Sequence, residues 1–343
     1  MSHLKVLFIS ILGIGAIVVG YGLHDHIVKV KAARLEHAVA PAPYFPPGSI
    51  WIQDVSHAPL DPHSSTIITW LANAGGWGHN NRMQIDFSLR VLQANASTPF
   101  VPVHKSEGWV SPDSDNVSSF PLPAGGGIEG EARYQCDVSE NDCHLLVVDR
   151  AHHKLYEAYQ ATYEGHDLSA GLIAVWDLNR VYPPSGRGDQ CTSTDAAGFP
   201  VAPLLFSADE LAAGHIDHAI RFILPNPRIR AHVFVHPATH AGAPRGPVNA
   251  PPMGVRFRLK ASYDLSRLKP AAQVVARAMQ KYGMFLSDGG NIALSAQSDQ
   301  DTVAKYADMG FNSHDLYDLK VTDFEVVEMG RPIPLTYDCV RNR

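Results

Sequence analysis

The chain has 343 residues, of which 45% are apolar and 18% charged, a composition typical of a globular protein with a sizeable core rather than of a disordered one. With 28 basic and 34 acidic residues the net charge is −6, and no basic stripe with interleaved aromatic residues is present, so nucleic acid is excluded as an expected partner. The 27 glycines and 25 prolines favour many short strands joined by turns over long helices.

An apolar run at the N-terminus, residues 6–23 (VLFISILGIGAIVVGYGL), is just long enough to span a bilayer. The nearest small-residue site, Ala38-Val-Ala40, is followed by Pro41, which is a poor residue after a cleavage point. We therefore expect residues 1–23 to be an uncleaved membrane anchor rather than a cleaved signal segment.

Two signals bear on the orientation of this anchor. Lys29, Lys31 and Arg34 follow the run and, by the positive-inside rule, would hold that side in the cytoplasm. The four cysteines and the Gly/Pro-rich β pattern instead favour a folded part outside the cytoplasm. We expect export, with the protein attached to the membrane and facing the periplasm or the cell exterior.

The four cysteines allow three pairings. Cys136 and Cys143 are close enough in sequence to close a hairpin, which leaves Cys191 to join Cys339 near the end of the chain. We predict disulfides Cys136–Cys143 and Cys191–Cys339. The alternative is four reduced thiols.

The remainder divides into a tether and one domain. Residues 24–49 end in AVAPAPYFPPG and are predicted to be a Pro-rich, stiff spacer, and residues 50–343 a single β-rich domain. Asp61-Pro62 is typical of a helix start, with an end near Gly75. The alternation in QIDFSLRVL, residues 84–92, predicts one half-buried strand.

Later elements follow from the same signals. The capping-box spacing in SADE predicts a helix over 207–214, and an apolar stripe predicts another over 270–283. Further strands are predicted at 145–149, 154–160, 171–177, 218–224, 231–236, 255–260, 284–287, 291–296 and 322–327. Such short runs between turns favour a mainly β fold, an antiparallel β-sandwich of jelly-roll-like type with a few short helices.

A histidine and an arginine on the predicted strand 218–224 are the first site candidates. His218 shares a strand face with Ile220 and Phe222, and Arg221 takes the other face, so one of the two polar residues must point inward. A buried arginine is costly unless it is paired or lines a cleft. We assign Arg221 to catalysis and His218 to substrate binding, with a solvated sheet face as the alternative for Arg221.

Proton-transfer groups are sought in the neighbouring loops. Asp195 follows Cys191, whose disulfide would hold the carboxylate rigidly, as a general acid or base requires; an ordinary polar turn is the alternative. Asp288, in SDGGN, is a second carboxylate, assigned to substrate contact. Tyr282 offers a phenol as proton donor, although it also fits the apolar stripe of the helix.

His236-Pro-Ala-Thr-His240 has the i, i+4 spacing of a metal pair. Two histidines do not make a ligand set, and the glutamate of the zinc-protease motif is missing. We therefore assign His236 and His240 to catalysis and expect no cofactor, with a metal held by the two histidines as the alternative.

Several motifs together resemble a widespread family of exported bacterial proteins of no established activity. The resemblance covers most of residues 54–330 and is carried by CTSTDAAGFP, HAIRFILPN, VHPATH, RFRL and KYG. Members of that family are similar in having secretion signals and sometimes sugar-binding modules. The resemblance implies an association with glycans and no specific reaction.

Two functions are carried forward. The first is a carbohydrate-active enzyme, a polysaccharide lyase or glycoside hydrolase of an extracellular or envelope glycan. In it Arg221 holds a sugar carboxylate or hydroxyl, a histidine acts as base, and Asp195 or Tyr282 acts as acid. Substitutions there should lower turnover with little change in stability. The second is a non-catalytic envelope protein that binds a glycan or a protein partner through aromatic residues such as Trp70, Trp77, Trp109 and Trp176. Trp176 is accordingly a candidate substrate contact.

Overall fold

The computed structural model describes residues 26–106 and 110–342. The anchor predicted over residues 1–23 lies outside these ranges, as does Trp109. Within them, no helix is both long enough and apolar enough to cross a membrane.

Most of the regular structure is β. The largest sheet has six strands in the order β1 (Ile85–Leu89), β14 (Leu294–Gln297), β10 (Ile220–Leu224), β13 (Met284–Gly289), β12 (Arg256–Leu259) and β15 (Phe324–Val326). A four-stranded sheet has the order β2 (Val91–Ala94), β5 (Leu145–Asp149), β6 (Lys154–Tyr159) and β9 (Leu172–Asp177). A second has the order β4 (Ser119–Pro121), β3 (Phe100–Lys105), β8 (Leu168–Ala170) and β7 (Thr162–Tyr163). A two-stranded ribbon joins β11 (Val233–Phe234) and β16 (Ile333–Pro334).

The helices are few and short. After the helical residues 26–37, the regular ones are α1 (Ser64–Asn73), α2 (Ala208–Ala213) and α3 (Pro270–Lys281), with an irregular helical turn at Gly78–Asn81. Single 3-10 turns occur at Ile50–Ile52, Ala202–Leu204, Asn226–Arg228, Leu265–Arg267, Asp299–Asp301, Tyr306–Met309 and Val321–Asp323. The capping box predicted for α2 is formed, because Ser207 accepts from the Glu210 N–H and Glu210 accepts from the Ser207 N–H, and Gly214 ends the helix in the left-handed conformation.

Two apolar cores hold the sheets together. The smaller lies between the two four-stranded sheets and includes Phe120, Leu145 and Ile173. The larger lies between the sheet of β2, β5, β6 and β9 and the six-stranded sheet, and it continues beneath α1 and α3. Burial on both faces explains why the first four residues of β5 are all apolar and buried rather than alternating.

The prediction of a mainly β chain with few helices is confirmed, and none of the sheets in the described residues closes into a barrel. The prediction of an antiparallel, jelly-roll-like sandwich is corrected in part, because most strand pairs are antiparallel but four are not. The pairs β1–β14, β10–β13, β2–β5 and β3–β8 are parallel, and α3 crosses between strands of the six-stranded sheet. Alternation of side chains shows that a strand has one or two covered faces, but not the direction of its neighbour.

The strand predicted over residues 84–92 is broken at Arg90, so that β1 joins the six-stranded sheet and β2 joins a four-stranded one. The side chain of Arg90 is 6% exposed and donates from Nε and Nη2 to both carboxylate oxygens of Asp301, each at 2.8 Å. This bidentate pair compensates the burial of the guanidinium at the point where the chain passes from one sheet to the other.

The segment before residue 50 contacts the domain. Residues 26–37 are helical and precede the Pro-rich part of this segment. Arg34 donates to both oxygens of Asp308 at 2.6 and 2.7 Å, and Phe45 is 4% exposed, with its ring edge-on to Trp176 and Tyr182. The apolar packing of the chain therefore begins before Ile50.

Both predicted disulfides are present, Cys136–Cys143 and Cys191–Cys339, and no described cysteine is free. Two disulfides are typical of proteins that fold outside the cytoplasm. The second joins residues 148 positions apart and fixes the C-terminal segment to the loop that contains Asp195.

Candidate functional site: a carboxylate-rich cavity between two sheets

Arg221 lies at the centre of a buried polar network. Its Nη2 donates to Oδ2 of Asp195 at 2.7 Å, its Nε donates to Oγ of Ser287 at 3.1 Å, and its Nη1 donates to Oγ of Ser295 at 3.2 Å. Strands β10, β13 and β14 supply the arginine and the two serines on one face of the six-stranded sheet. The same Nη2 lies 3.8 Å from Oδ2 of Asp288 at the end of β13, so one guanidinium serves two carboxylates.

The sheet position explains why both polar residues of the 218–224 segment are buried. Arg221 is 5% exposed and His218 is 6% exposed, because loops or helices cover both faces of this strand. The inference that only one of them points inward is therefore corrected. His218 bonds to the Glu210 carboxylate through Nε2 at 3.0 Å and to the Ala219 carbonyl through Nδ1 at 2.8 Å, which ties α2 to the start of β10.

The Asp195 loop is held by backbone contacts on both sides. Its carboxylate accepts from the Ala197 N–H at 3.0 Å, and the same N–H donates to the Ser287 carbonyl at 2.9 Å. Gly198 has φ +80°, and a Cβ there would lie 2.2 Å from Oγ1 of Thr239. Only glycine permits this close approach of the loop to the segment that contains Thr239, while the Ala197–Ser287 bond holds the loop against the sheet.

Proton affinity is raised at this pair of carboxylates. Burial raises the pKa of Asp195, the positive charge of Arg221 lowers it, and the neighbouring charge of Asp288 raises it. Together these effects bring the pKa to about 7. Burial also raises the pKa of Asp288, although Arg221 and the Gly289 N–H favour its charged form. Asp195 is sealed, whereas the Asp288 side chain is 32% exposed, so Asp288 is the member of the pair that a ligand can reach.

A cavity of about 570 Å³ opens above this pair, between the six-stranded sheet and the sheet of β2, β5, β6 and β9. We call it the Asp288 cavity. It is lined by Ser111, Pro112, Asp113, Asp142, Tyr159, Leu172, Thr192, Ser193, Thr194, Asp195, Ala196, His240, Gly242, Ala243, Asp288, Gly289 and Tyr337. Its volume suits a small ligand or a few units of a polymer.

His240 contributes a neutral imidazole to the wall of this cavity. Its Nδ1 lies 3.0 Å from the Gly242 nitrogen and 3.1 Å from the Ala196 carbonyl oxygen, so it accepts from the first in one tautomer and donates to the second in the other. Burial lowers the pKa of His240, which favours the neutral ring. Nε2 has no hydrogen-bond partner in the described part of the chain.

An ion pair lies behind the wall formed by Tyr159 and Thr194. Nδ1 of His144 is 2.6 Å from Oε2 of Glu129, and Nε2 is 2.8 Å from the Thr194 carbonyl oxygen. Both neighbours can only accept, so the imidazole carries two protons and a positive charge. Burial disfavours that charge, but Glu129 outweighs it and raises the pKa of His144 to about 9. Burial would raise the pKa of Glu129, but the positive charge of His144 and the hydrogen bonds from it outweigh burial and lower the pKa to about 2.

The predicted site residues divide into two groups. Asp195, His240 and Asp288 line one cavity, and Arg221 lies directly beneath it, bonded to Asp195. The cavity does not include His236, whose Nε2 bonds to Oδ1 of Asp189 at 2.8 Å.

Two further candidates are also absent from the cavity lining. Tyr282 is 7% exposed at the end of α3, and its hydroxyl lies 3.4 Å from Oδ1 of Asp217. Trp176 is 1% exposed; its Nε1 donates to Glu157 at 3.0 Å and Arg187 lies over its ring. Its burial follows from packing on both sides of β9 and removes it from contact with any ligand.

The tryptophans of the binding alternative are mostly internal. Trp77 is fully buried and donates to the Leu319 carbonyl, and Trp70 is half-buried. The described tryptophans therefore form no exposed aromatic platform.

Nothing in the described ranges resembles a metal centre. No group of three or more His, Cys, Asp or Glu side chains is arranged to hold an ion there. His236 and His240 use ring nitrogens for Asp189 and Gly242 respectively.

Sequence reasoning missed three cavity residues. Asp113, Asp142 and Tyr159 lie in or beside loops that carry no recognisable motif. The one available signal was Cys143: its predicted disulfide indicates a fixed loop beside Asp142, whose Oδ1 accepts from the Tyr159 hydroxyl at 3.1 Å. Nothing local indicates that Asp113, whose Oδ2 accepts from the Thr192 N–H at 2.9 Å, belongs with them.

A second cavity, of about 520 Å³, lies between Asp61, Arg230 and Glu328 and contains none of the predicted site residues.

Comparisons with models of protein families, with curated proteins and with solved structures found no match for this chain. The resemblance to exported bacterial proteins therefore stays a prediction.

Proposed function

We propose that the chain is an exported carbohydrate-active enzyme that hydrolyses glycosidic bonds of an extracellular or envelope glycan in the Asp288 cavity. The observation that carries the proposal is Asp288 itself, a partly exposed carboxyl group whose pKa burial raises, at the edge of a cavity of suitable size. A carboxyl group with a raised pKa keeps its proton to a higher pH than a free aspartate does, which suits a general acid.

The reaction assigns one role to each of two carboxyl groups. Asp288 donates its proton to the glycosidic oxygen as the bond to the anomeric carbon breaks. Asp142, oriented by the Tyr159 hydroxyl, takes a proton from the water that attacks that carbon. Arg221 and Asp195 do not touch the substrate in this scheme. They lie beneath the cavity floor, where they position the Asp288 side chain and influence its pKa.

Hydrolysis is favoured over a lyase reaction by the position of Arg221. A lyase that acts on a uronic acid needs a cation in contact with the sugar carboxylate. The three nitrogens of Arg221 instead face Asp195, Ser287 and Ser295, and the side chain is 5% exposed. The alternative of a non-catalytic envelope protein that binds a glycan or a protein partner keeps the same cavity as its binding site.

Export and membrane attachment are part of the proposal. The two disulfides support a location outside the cytoplasm. Attachment through residues 1–23 rests on the apolar sequence of that segment alone.

The test is the variant Asp288→Asn, which keeps the shape of the side chain but holds no transferable carboxyl proton. Wild-type protein with both disulfides formed is incubated with a panel of neutral, acidic and amino polysaccharides, and new reducing ends are measured. We expect Asp288→Asn to lower turnover by roughly a hundredfold or more, with little change in the thermal midpoint, because general acid catalysis is commonly worth that much.

Asp264→Asn, in an exposed turn, is the matched control and should keep full activity. An Asp288→Asn variant as active as the wild type would contradict the proposal. Binding of a glycan without any cleavage would favour the non-catalytic alternative. Turnover of the wild type should fall as the pH rises through the raised pKa of Asp288, because the acid then loses its proton.

A further inference from the structure

The charged residues that line the Asp288 cavity are all acidic. Carboxylates from four separate segments line it, Asp113, Asp142, Asp195 and Asp288, and none of the described residues in its lining is Lys or Arg. Arg221, beneath the floor, is the guanidinium that compensates two of them, Asp195 at 2.7 Å and Asp288 at 3.8 Å. A cavity of this composition repels anionic sugars and attracts cations.

Asp113 is the carboxylate whose burial is least compensated. It is 9% exposed, and its Oδ2 accepts from the Thr192 N–H at 2.9 Å. Oδ1 has no hydrogen-bond partner among the described residues, and no described Lys, Arg or His forms a salt bridge with this carboxylate. Arg341 donates to the backbone carbonyl of Asp113 and pairs with Asp115 instead. A cation bound in the cavity would therefore meet a carboxylate with no competing positive charge.

His240 provides a second, independent group with an unused polar atom. It is also 9% exposed, and its Nδ1 lies within hydrogen-bond distance of Gly242 and Ala196, whereas its Nε2 has no hydrogen-bond partner in the described ranges. Asp113 is close enough to His240 for its charge to act on the imidazole. A carboxylate oxygen and a ring nitrogen, each open to the cavity, therefore lie together in its wall.

We propose that the Asp288 cavity recognises an amino sugar with a free amine, with the ammonium group bound by Asp113 and a neighbouring hydroxyl bound by Nε2 of His240. This inference rests on the proposed function for the site and names its substrate class, a glycan that contains sugars without N-acetyl groups. N-acetylation removes the positive charge, so that Asp113 would receive only a hydrogen bond from a neutral amide instead of an ion pair. Uronic acids and sulfated sugars place a like charge in front of Asp113 and Asp142.

The experiment measures binding and cleavage in the same samples. Disulfide-intact protein is titrated by calorimetry, in weakly acidic buffer, with tetramers of β-1,4-linked glucosamine, the same tetramers fully N-acetylated, cellotetraose and an oligouronate. Chromatography of each sample reports cleavage. We expect the glucosamine tetramer to bind at least about tenfold more tightly than the acetylated and neutral tetramers, the ratio that one charge-assisted hydrogen bond gives. Added salt should reduce the ratio.

Asp113→Asn should remove most of this preference, and the matched control is Asp61→Asn. Asp61 is buried to a similar degree, at 7% exposure, and likewise accepts from one backbone N–H, that of His63, but it lies outside the Asp288 cavity. The control should keep the preference. Thermal midpoints of both variants show whether each has folded, and the wild-type preference is measured independently of either.

Each outcome decides the inference. Equal or tighter binding of the acetylated, neutral or uronate tetramer, no binding of any tetramer, or an equal loss in Asp113→Asn and Asp61→Asn overturns it. Preferred binding of the glucosamine tetramer without cleavage supports the amine inference and contradicts the hydrolase proposal. Cleavage of cellotetraose with no preference for the amine supports the hydrolase proposal and contradicts the amine inference.

Discussion

At the scale of single residues, Arg221 and Asp195 form a buried ion pair in which each residue compensates the charge of the other. The arginine is 5% exposed, the aspartate side chain is sealed, and the ion pair is supported by Ser287, Ser295 and the Ala197 N–H. Removal of one partner leaves a buried charge without compensation, which is far more costly than the loss of an exposed pair. The expectation that substitutions here leave stability almost unchanged, drawn from a picture of an open cleft, is therefore revised.

We predict that Arg221→Met lowers the free energy of unfolding by about 3–5 kcal/mol, the range found when one member of a buried ion pair is removed. The double variant Arg221→Met/Asp195→Asn should recover part of this loss, because it leaves neither charge uncompensated. Arg277→Met, at an exposed position of α3, is the control. Urea titrations of the four proteins give the comparison, and a loss no greater than that of the control would contradict the assignment.

The His144–Glu129 ion pair should make the free energy of unfolding depend on pH, with a loss of stability at both acid and alkaline pH. Glu129, with a pKa lowered to about 2 from 4.5, contributes stability that is present above pH 4.5 and is lost as the pH falls towards 2. His144, with a pKa raised to about 9 from 6.5, contributes stability that is complete below pH 6.5 and is lost as the pH rises through 9. The pair should therefore stabilise most between pH 4.5 and 6.5.

His144→Gln should cost about 3 kcal/mol of unfolding free energy in that window, since each unit of pKa shift corresponds to about 1.4 kcal/mol. The difference from wild type should shrink at both ends of the pH range. His152→Gln is a suitable control, because its ring is 62% exposed although it also contacts a carboxylate. A difference that stayed constant from acid to alkaline pH would show that His144 acts through packing and not through its charge.

Among the elements, the loop of residues 191–199 and the C-terminal segment form one unit. Cys191–Cys339 joins them, the Gln190 side chain bonds to the Pro334 carbonyl and the Thr336 N–H, and Tyr337 then forms part of the cavity wall against His240. The other disulfide closes a span of only 7 residues and fixes the loop that precedes β5. The two bridges therefore differ both in the length of chain they close and in what they hold.

We predict that replacement of Cys191 and Cys339 by serine destabilises the protein more than replacement of Cys136 and Cys143. The chain-entropy contribution of a bridge grows with the logarithm of the closed loop, from about 3 kcal/mol for 15 residues to nearly 5 kcal/mol for 100. Activity or ligand binding should also fall in the first variant, because the Tyr337 wall is released. Denaturant titrations of both double variants test the order, and the reverse order would contradict it.

At the scale of the whole molecule, the fold is three sheets with two cores, and the site lies where two of the sheets meet. Asp195 and Asp288 come from the side of the six-stranded sheet, while Asp142 and Tyr159 come from the side of the sheet containing β5 and β6. The relative position of the two sheets consequently sets the width of the cavity. The large core between them, which includes Phe45 and Trp176, is what maintains that position.

We predict that the folded unit needs residues before Ile50. A chain that begins at residue 26 should be as stable as the full-length protein, whereas one that begins at residue 50 should lose about 3 kcal/mol or more, because Phe45 leaves a cavity beside Trp176 and Tyr182. Phe45→Ala in the longer chain is the matched test of that cause. Thermal midpoints that agree for the two truncated chains would place the start of the domain at residue 50 after all.

Local signals in the sequence were sufficient for the features that depend on neighbouring residues. The capping box of Ser207 and Glu210, the helix from Pro270 and the short hairpin bridge of Cys136 and Cys143 all follow from groups within a few positions of one another. The high β content followed in the same way from alternation and turn residues. Arg221 and Asp288 could be proposed because a buried charge and a glycine-flanked carboxylate are unusual in themselves.

Long-range packing alone determined the rest. The parallel pairing of β10 with β13, the burial of both His218 and Arg221, and the meeting of Asp113, Asp142 and His240 in one cavity depend on residues that are many tens of positions apart. A period-2 pattern states which side chains share a face of a strand, but it contains no information about the partner strand or about what covers that face. Asp113 and Trp176 therefore had no distinguishing local signal, and only the tertiary structure places the first in the site and the second in the core.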